Sequence, residues 1–143
     1  MAGRLVTRRS ASGVAVIDDT YNANPDSVRA AIDVLAAAPS PRWLVLGDMG
    51  EVGSQGATFH HEVGAYAKSA GIDRLLTVGT LTASTSAAYG AGASHFTAIE
   101  ALVERVVATV APGTTVLVKG SRVMRMERVV AALLGEAPSE GTH

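Results

Sequence analysis

Apolar residues along the chain fall into two alternating patterns. Short continuous runs recur at 14–17 (VAVI), 43–46 (WLVL), 75–78 (LLTV) and 115–118 (TVLV). Between them lie longer stretches whose apolar positions repeat with helical period. In 27–38, Val28, Ala31, Ile32 and Leu35 stand at i, i+3, i+4 and i+7, with Pro25 before them and Pro39 and Pro41 after. The same pattern predicts helices over 57–70, 81–89, 99–110 and 122–134, the last stopped by Gly135, and a weaker strand at 95–97. Strands alternating with helices imply βαβ crossovers, and uninterrupted apolar strands imply burial on both faces. The expected fold class is α/β: one doubly wound domain over 12–135, with a mostly parallel sheet and helices on both faces. The lead-in 1–11 carries three Arg and no acid, with Leu5 and Val6 as candidates for an edge strand. The polar tail 136–143 is expected to be disordered.

Composition narrows the function classes. The chain has 143 residues, 48% of them apolar and 17% charged, which excludes an intrinsically disordered chain. A net charge of −1 gives no global attraction for nucleic acid or membrane. One Trp, three Tyr and two Phe are too few for base-stacking platforms. No apolar run reaches the ~18 residues of a membrane span. With no Cys there is no disulfide framework and no thiolate metal site, which fits a cytoplasmic protein. The 25 Ala and 15 Gly fit close helix-on-sheet packing and codon bias equally well.

Ligands of doubly wound sheets bind beyond the carboxyl ends of the strands. Polar residues gather there: Asp18, Asp19, Tyr21, Asn22 and Asn24 after the first run; Asp48 and Glu51 after the second; Lys119, Ser121 and Arg122 after the last. Asn24 reads equally well as a helix cap. Gly47, Gly50, Gly53 and Gly56 recur every third residue, as a loop that either cradles an anion with its amides or merely turns. The Lys119–Arg122 segment runs from strand to helix through Gly120 and Ser121. This arrangement predicts free amides and a helix dipole aimed at a carboxylate or phosphate, with Lys119 and Arg122 as a clamp. His60 and His61 lack a metal-ligand spacing and are expected to decorate the first turn of a helix. No P-loop, no G-x-G-x-x-G after the first strand and no G-x-S-x-G elbow occur, so the chain has a rim for ligands without the parts for phosphoryl transfer.

Four strings in order, IDDTYNANPDS at 17–27, VLGDMGEVG at 45–53, HHEVG at 60–64 and VKGSR at 118–122, resemble the C-terminal domain of the Mur ligase family in its MurF form. The resemblance spans about residues 3 to 135. It implies a three-layer Rossmann-like lobe of a three-domain cytoplasmic ligase that adds D-Ala-D-Ala to UDP-MurNAc-tripeptide through an acyl phosphate. ATP and Mg are the implied cofactors. The P-loop, the metal ligands and the UDP-sugar site then belong to domains absent from this chain. The isolated lobe is expected to be inactive and to hold neither catalytic residues nor a metal. By resemblance, Asp19, Tyr21, Asn22 and Asn24 face the nucleotide, with Asp18 an alternative to Asp19 because the string is one residue longer than the D-Y-A-H-x-P form of the sister ligases. Lys119, Ser121 and Arg122 would meet the incoming dipeptide. Asp48, Glu51 and His60 fall in family strings without an implied role. The alternative is a phosphoacceptor receiver-like domain, whose paired Asp, second Asp and late Lys this chain also has. Spacing argues against it, since 19 to 48 leaves room for a single helix. A stand-alone binding module is the third reading.

Overall fold

The computed structural model describes residues 5–50 and 52–136. The strands are β1 Val6–Arg9, β2 Ala15–Asp19, β3 Arg42–Gly47, β4 Arg74–Val78, β5 Ala93–Phe96 and β6 Thr115–Lys119. The helices are α1 Pro25–Ala36, α2 Gly56–Ser69, α3 Thr82–Tyr89, α4 Ile99–Thr109 and α5 Glu127–Leu134. They form one sheet in the order β1-β2-β6-β3-β4-β5, parallel except for β1, which pairs antiparallel with β2. The last strand therefore enters between the first two parallel ones, and the rim at β2, β6 and β3 is where the order switches.

Alternate residues of each central strand enter different cores. Ile17, Leu44, Leu46, Leu75 and Leu117 pack under α1, α2 and α3 with Val28, Ile32, Leu35, Val63 and Tyr89. Val16, Trp43, Val45, Leu76, Val116 and Val118 pack under α4 and α5 with Leu102, Val106, Val129 and Leu133. Each fully buried side chain of this size contributes about 1.5–3 kcal/mol. The result is a three-layer α/β/α arrangement with helices on both faces, as the uninterrupted apolar strands require.

Small residues have a packing use between α2 and α3. A Cβ on Gly64 would lie 2.1 Å from the Thr85 carbonyl oxygen, so the two helices meet backbone to backbone. At least this part of the glycine excess is set by packing.

The structure departs from the sequence pattern after β6. A single helix over 122–134 is replaced by a 3-10 turn, Arg122–Met124, a left-handed Arg125 at φ 51°, and then α5. The cause is Met126, which is fully buried against the ends of β3 and β6. A Cβ on Gly120 would sit 2.6 Å from Met126 Cγ, and one on Gly47 would sit 2.8 Å from its Sδ. The two glycines open a slot, and the chain must turn at Arg125 to lower Met126 into it. At the other end, Glu136 is tied down, its N–H bonded to Ala131 O at 2.8 Å and its carboxylate paired with Arg8 of β1. The remainder of the predicted tail, 137–143, lies outside the described residues, as does Glu51.

Candidate ligand cleft at the sheet switch point

Asp19 and Lys119 end neighbouring parallel strands in direct register. Lys119 Nζ donates to Asp19 Oδ2 at 2.9 Å and to the Asn22 carbonyl at 2.9 Å, and the two side chains are 4% and 11% exposed. The sequence pattern puts this acid and this cation after different apolar runs; the register brings them together. A buried charge of either sign is tolerable here because the other neutralises it. Lys119 also fixes the loop after β2 through Asn22.

The rest of that loop is locally held. Asp18 Oδ1 accepts from Thr20 N at 3.2 Å and from Thr20 Oγ1 at 2.7 Å, an Asx turn that faces Asp18 away from the ion pair's chemistry. Asn22 Oδ1 accepts from Ala23 N at 2.9 Å. Asn24 caps α1: its Oδ1 accepts from Ser27 N at 2.9 Å while Ser27 Oγ accepts from Asn24 N at 3.0 Å, a reciprocal capping box with Pro25 in the first turn.

A cleft of about 380 Å³ opens over this floor, lined by Asp19, Tyr21, Asn22, Asn24 and Lys119 together with Leu5, Ser27, Ala30 and Ala31. Five of the seven singled-out residues thus converge. Ser121 and Arg122 do not line it. Arg122 is exposed on the lip, its guanidinium 4.7 Å from the centre of the Tyr21 ring. Ser27 and Ala31 were missed by sequence reasoning, yet with Asn24 they stand at i, i+3 and i+7 of α1, a spacing that puts them on one helix face.

The helix-dipole site expected at Ser121 is not formed, and the glycine loop, which reads either as an anion cradle or as a plain turn, uses two of its amides internally. Ser121 N–H donates to Asp48 O at 2.9 Å, its side chain makes no cap bond, and α5 begins only at Glu127. Free amides and a helix dipole therefore do not meet at Ser121. In the glycine loop, Met49 N–H donates to His60 Nε2 at 3.0 Å and Gly50 N–H to Ala23 O at 3.2 Å, so those amides are engaged internally. His60 is fully buried rather than decorating a first turn, with its Nδ1 2.7 Å from Gly56 O. His61 is exposed.

Asp48 is engaged on both oxygens. Oδ2 accepts from Thr80 N at 2.9 Å and Leu81 N at 3.2 Å, and Oδ1 accepts from Thr82 N at 2.9 Å. Burial alone pushes its carboxyl up, but the backbone N–H groups of Thr80, Thr82 and Leu81 outweigh that and hold it below 3.8. A receiver-like phosphoacceptor needs a carboxylate oxygen free to attack at this position, and both oxygens of this half-buried carboxylate accept backbone N–H groups. Among the described residues no three His, Cys, Asp or Glu side chains cluster as metal ligands, and none of the helices is long and apolar enough to cross a membrane.

Comparison with known proteins follows the same outline. Residues 3–122 match the family described as Mur ligase, glutamate ligase domain. The chain is 46% identical over 133 residues to the UDP-N-acetylmuramoyl-tripeptide--D-alanyl-D-alanine ligase of Escherichia coli, covering 92% of this chain and 29% of that protein. It is 38% identical to the ligase of the same name from Bacillus subtilis, covering 94% and 31%. Among solved structures, the MurF ligase of Thermotoga maritima in complex with ADP superposes with a TM-score of 0.83 at 27% identity, over 95% of this chain and 31% of that one. MurF from Acinetobacter baumannii superposes at 0.81 with 32% identity, over 94% and 30%. The chain thus spans about a third of the length of its relatives, and the family match, the relatives and the neighbouring structures agree that it belongs to the Mur ligase family as a C-terminal domain.

Proposed function

We propose that this domain is the C-terminal lobe of a cytoplasmic, ATP-dependent ligase that joins D-Ala-D-Ala to UDP-MurNAc-tripeptide in peptidoglycan synthesis. The observation that carries the reading is the 46% identity, over 92% of the chain, to the Escherichia coli ligase of that activity. In the reaction, the tripeptide carboxylate oxygen attacks the γ-phosphorus of ATP and ADP leaves. The dipeptide amine then attacks the acyl phosphate carbonyl, and phosphate departs from the tetrahedral intermediate.

This lobe contributes orientation. Asp19, Tyr21, Asn22 and Asn24 form the nucleotide side, with Tyr21 offering a ring face and Asn22 and Asn24 their amide N–H groups, since their carbonyl oxygens are already bonded. Arg122 carries the exposed charge for the dipeptide carboxylate, with Ser121 beside it. Lys119 stands under both: two of its three donors hold Asp19 and Asn22, leaving one for a ligand atom. Asp19 is paired with Lys119 and Asp18 is turned onto Thr20, so neither offers a free carboxylate to Mg²⁺. On this reading the metal that accompanies ATP is held by parts of the enzyme outside this chain.

The test is a hybrid enzyme in which this domain replaces its counterpart in the Escherichia coli ligase. Ligation by the hybrid, an ATP KM raised at least fivefold by Asn22→Ala, and a D-Ala-D-Ala KM raised at least fivefold by Arg122→Ala are expected. The isolated chain should not hydrolyse ATP. A folded hybrid that ligates with both KM values unmoved by these substitutions overturns the assignment of the cleft.

A further inference from the structure

Asp48 and His60 lie outside the cleft lining, yet both hold a short segment that bonds to the loop after β2 and to the Ser121–Arg122 turn at the cleft's lip. Residues 47–50 leave β3 between the loop after β2 and the turn after β6. Asp48 O accepts the Ser121 N–H at 2.9 Å, and Gly50 N–H reaches Ala23 O at 3.2 Å. The first bond fixes the residue before Arg122; the second fixes the residue between Asn22 and Asn24.

The segment is itself held from behind. The Asp48 carboxylate gathers the N–H groups of Thr80, Leu81 and Thr82 at the start of α3. His60 holds the next residue: Met49 N–H can only donate, so Nε2 must be the acceptor, and the ring proton is on Nδ1, bonded to Gly56 O. Little slack remains around the segment. A Cβ on Gly79 would lie 2.3 Å from Asp48 Oδ1, and one on Gly50 would lie 3.3 Å from Ser121 Cβ. Any displacement of Asp48 or Met49 is therefore passed to Ser121 and Ala23.

We propose that Asp48 and His60 are positioning residues that set the spacing between the Ala23–Asn24 loop beside the cleft and the Ser121–Arg122 turn at its lip. Naming that loop and that turn for nucleotide and dipeptide rests on the proposed function, but the coupling is a property of the unliganded chain and is tested without ligand.

The experiment is amide hydrogen exchange, read by NMR on the 143-residue chain, comparing wild type with Asp48→Ala, Asp48→Asn, His60→Phe and His60→Gln. Leu44 and Leu117 amides in the central strands report global opening. In Asp48→Ala, Thr80 and Thr82 will exchange faster whatever the wider role of Asp48. The proposal requires more: Gly50 and Ser121 amides accelerating at least tenfold beyond whatever acceleration Leu44 and Leu117 show in Asp48→Ala and His60→Phe. Asn and Gln each retain one acceptor, so Asp48→Asn and His60→Gln should recover part of that protection. If Gly50 and Ser121 accelerate no more than Leu44 and Leu117 do, Asp48 is a helix cap and His60 a core filler, and the proposal falls. That result leaves the hybrid-enzyme test of the cleft untouched. Should a disruptive variant fail to fold, the Asn and Gln variants decide on the same amides.

Discussion

Asp19 ends β2 and Asp48 follows β3, the two strands that flank β6. Both are acids at carboxyl ends of parallel strands, where sequence patterning alone makes them equivalent. Asp19 is opposed by a full positive charge, Lys119, at 2.9 Å, with the cleft opening over the pair. Asp48 is half-buried, opposed by three neutral N–H groups, and lies against Gly79 and the start of α3. An ion pair keeps a donor and an oxygen lone pair for something else; a carboxylate with both oxygens bonded to backbone amides has a fixed geometry and less to offer a ligand. The difference separates a wall that can bind from a strut that can hold.

The largest expected effect comes from breaking the ion pair on one side. Lys119→Met leaves the Asp19 charge buried without a partner, and the chain should lose about 3–5 kcal/mol in urea unfolding. Adding Asp19→Asn to the same chain should return most of that loss, because the remaining groups are neutral. A single-variant loss below about 1 kcal/mol would mean that water reaches the pair and that Asp19 is no more protected than a surface acid.

Asp48→Ala should cost about 2 kcal/mol, since charge-assisted bonds to three amides are lost but the half-buried helix start regains water. Its pH dependence distinguishes it further. The folded carboxyl ionises below 3.8, so its contribution is complete above the unfolded value and is lost as pH falls through the lower folded value. The stability gap between wild type and Asp48→Asn should therefore be constant near neutrality and narrow below about pH 4. A gap that stays flat down to pH 3 would remove the charge from the account of how Asp48 holds α3.

Much of the layer architecture was legible because uninterrupted apolar strands and i, i+3, i+4 helices leave few alternatives. What was not legible depended on strand order. The Asp19–Lys119 contact joins residues a hundred positions apart, and only the insertion of β6 beside β2 brings them into register. The break at Arg125 was hidden because Val129, Val130 and Leu133 continue a helical period that also suits a helix beginning at 122. It takes the slot made by two distant glycines, Gly47 and Gly120, to show why Met126 descends and the helix cannot start earlier. His60 was hidden for another reason: a polar side chain in a helix reads as exposed unless both ring nitrogens are known to have backbone partners.

Asn24 offers an intermediate case, since it lines the cleft while its side-chain oxygen caps α1. Asn24→Ala should lower stability by about 1 kcal/mol through loss of the cap. Asn24→Asp keeps an acceptor for Ser27 N–H but removes the amide N–H groups. If Asn24 meets the nucleotide, the Asp variant should hold its stability and still weaken ATP binding in the hybrid enzyme. Equal ATP affinity in both would confine Asn24 to the helix start.

The smallest effect on stability is expected at Arg122, whose stacking on Tyr21 is worth about 0.5–1 kcal/mol at an exposed site. That smallness makes it the sharper probe of the cleft, because a change in ligand affinity cannot then be blamed on unfolding. Lys119 is locked under Asp19 and Asn22, so the accessible positive charge on the lip is that of Arg122. Arg122→Lys keeps the charge and loses the planar fork; Arg122→Ala loses both. A dipeptide carboxylate held by two parallel N–H bonds predicts a rise in D-Ala-D-Ala KM in both variants, larger for Ala, with the ATP KM little changed. A rise confined to ATP would instead place Arg122, with Tyr21, on the nucleotide side of the cleft, and the division of the rim into two sides would have to be drawn beyond Arg122.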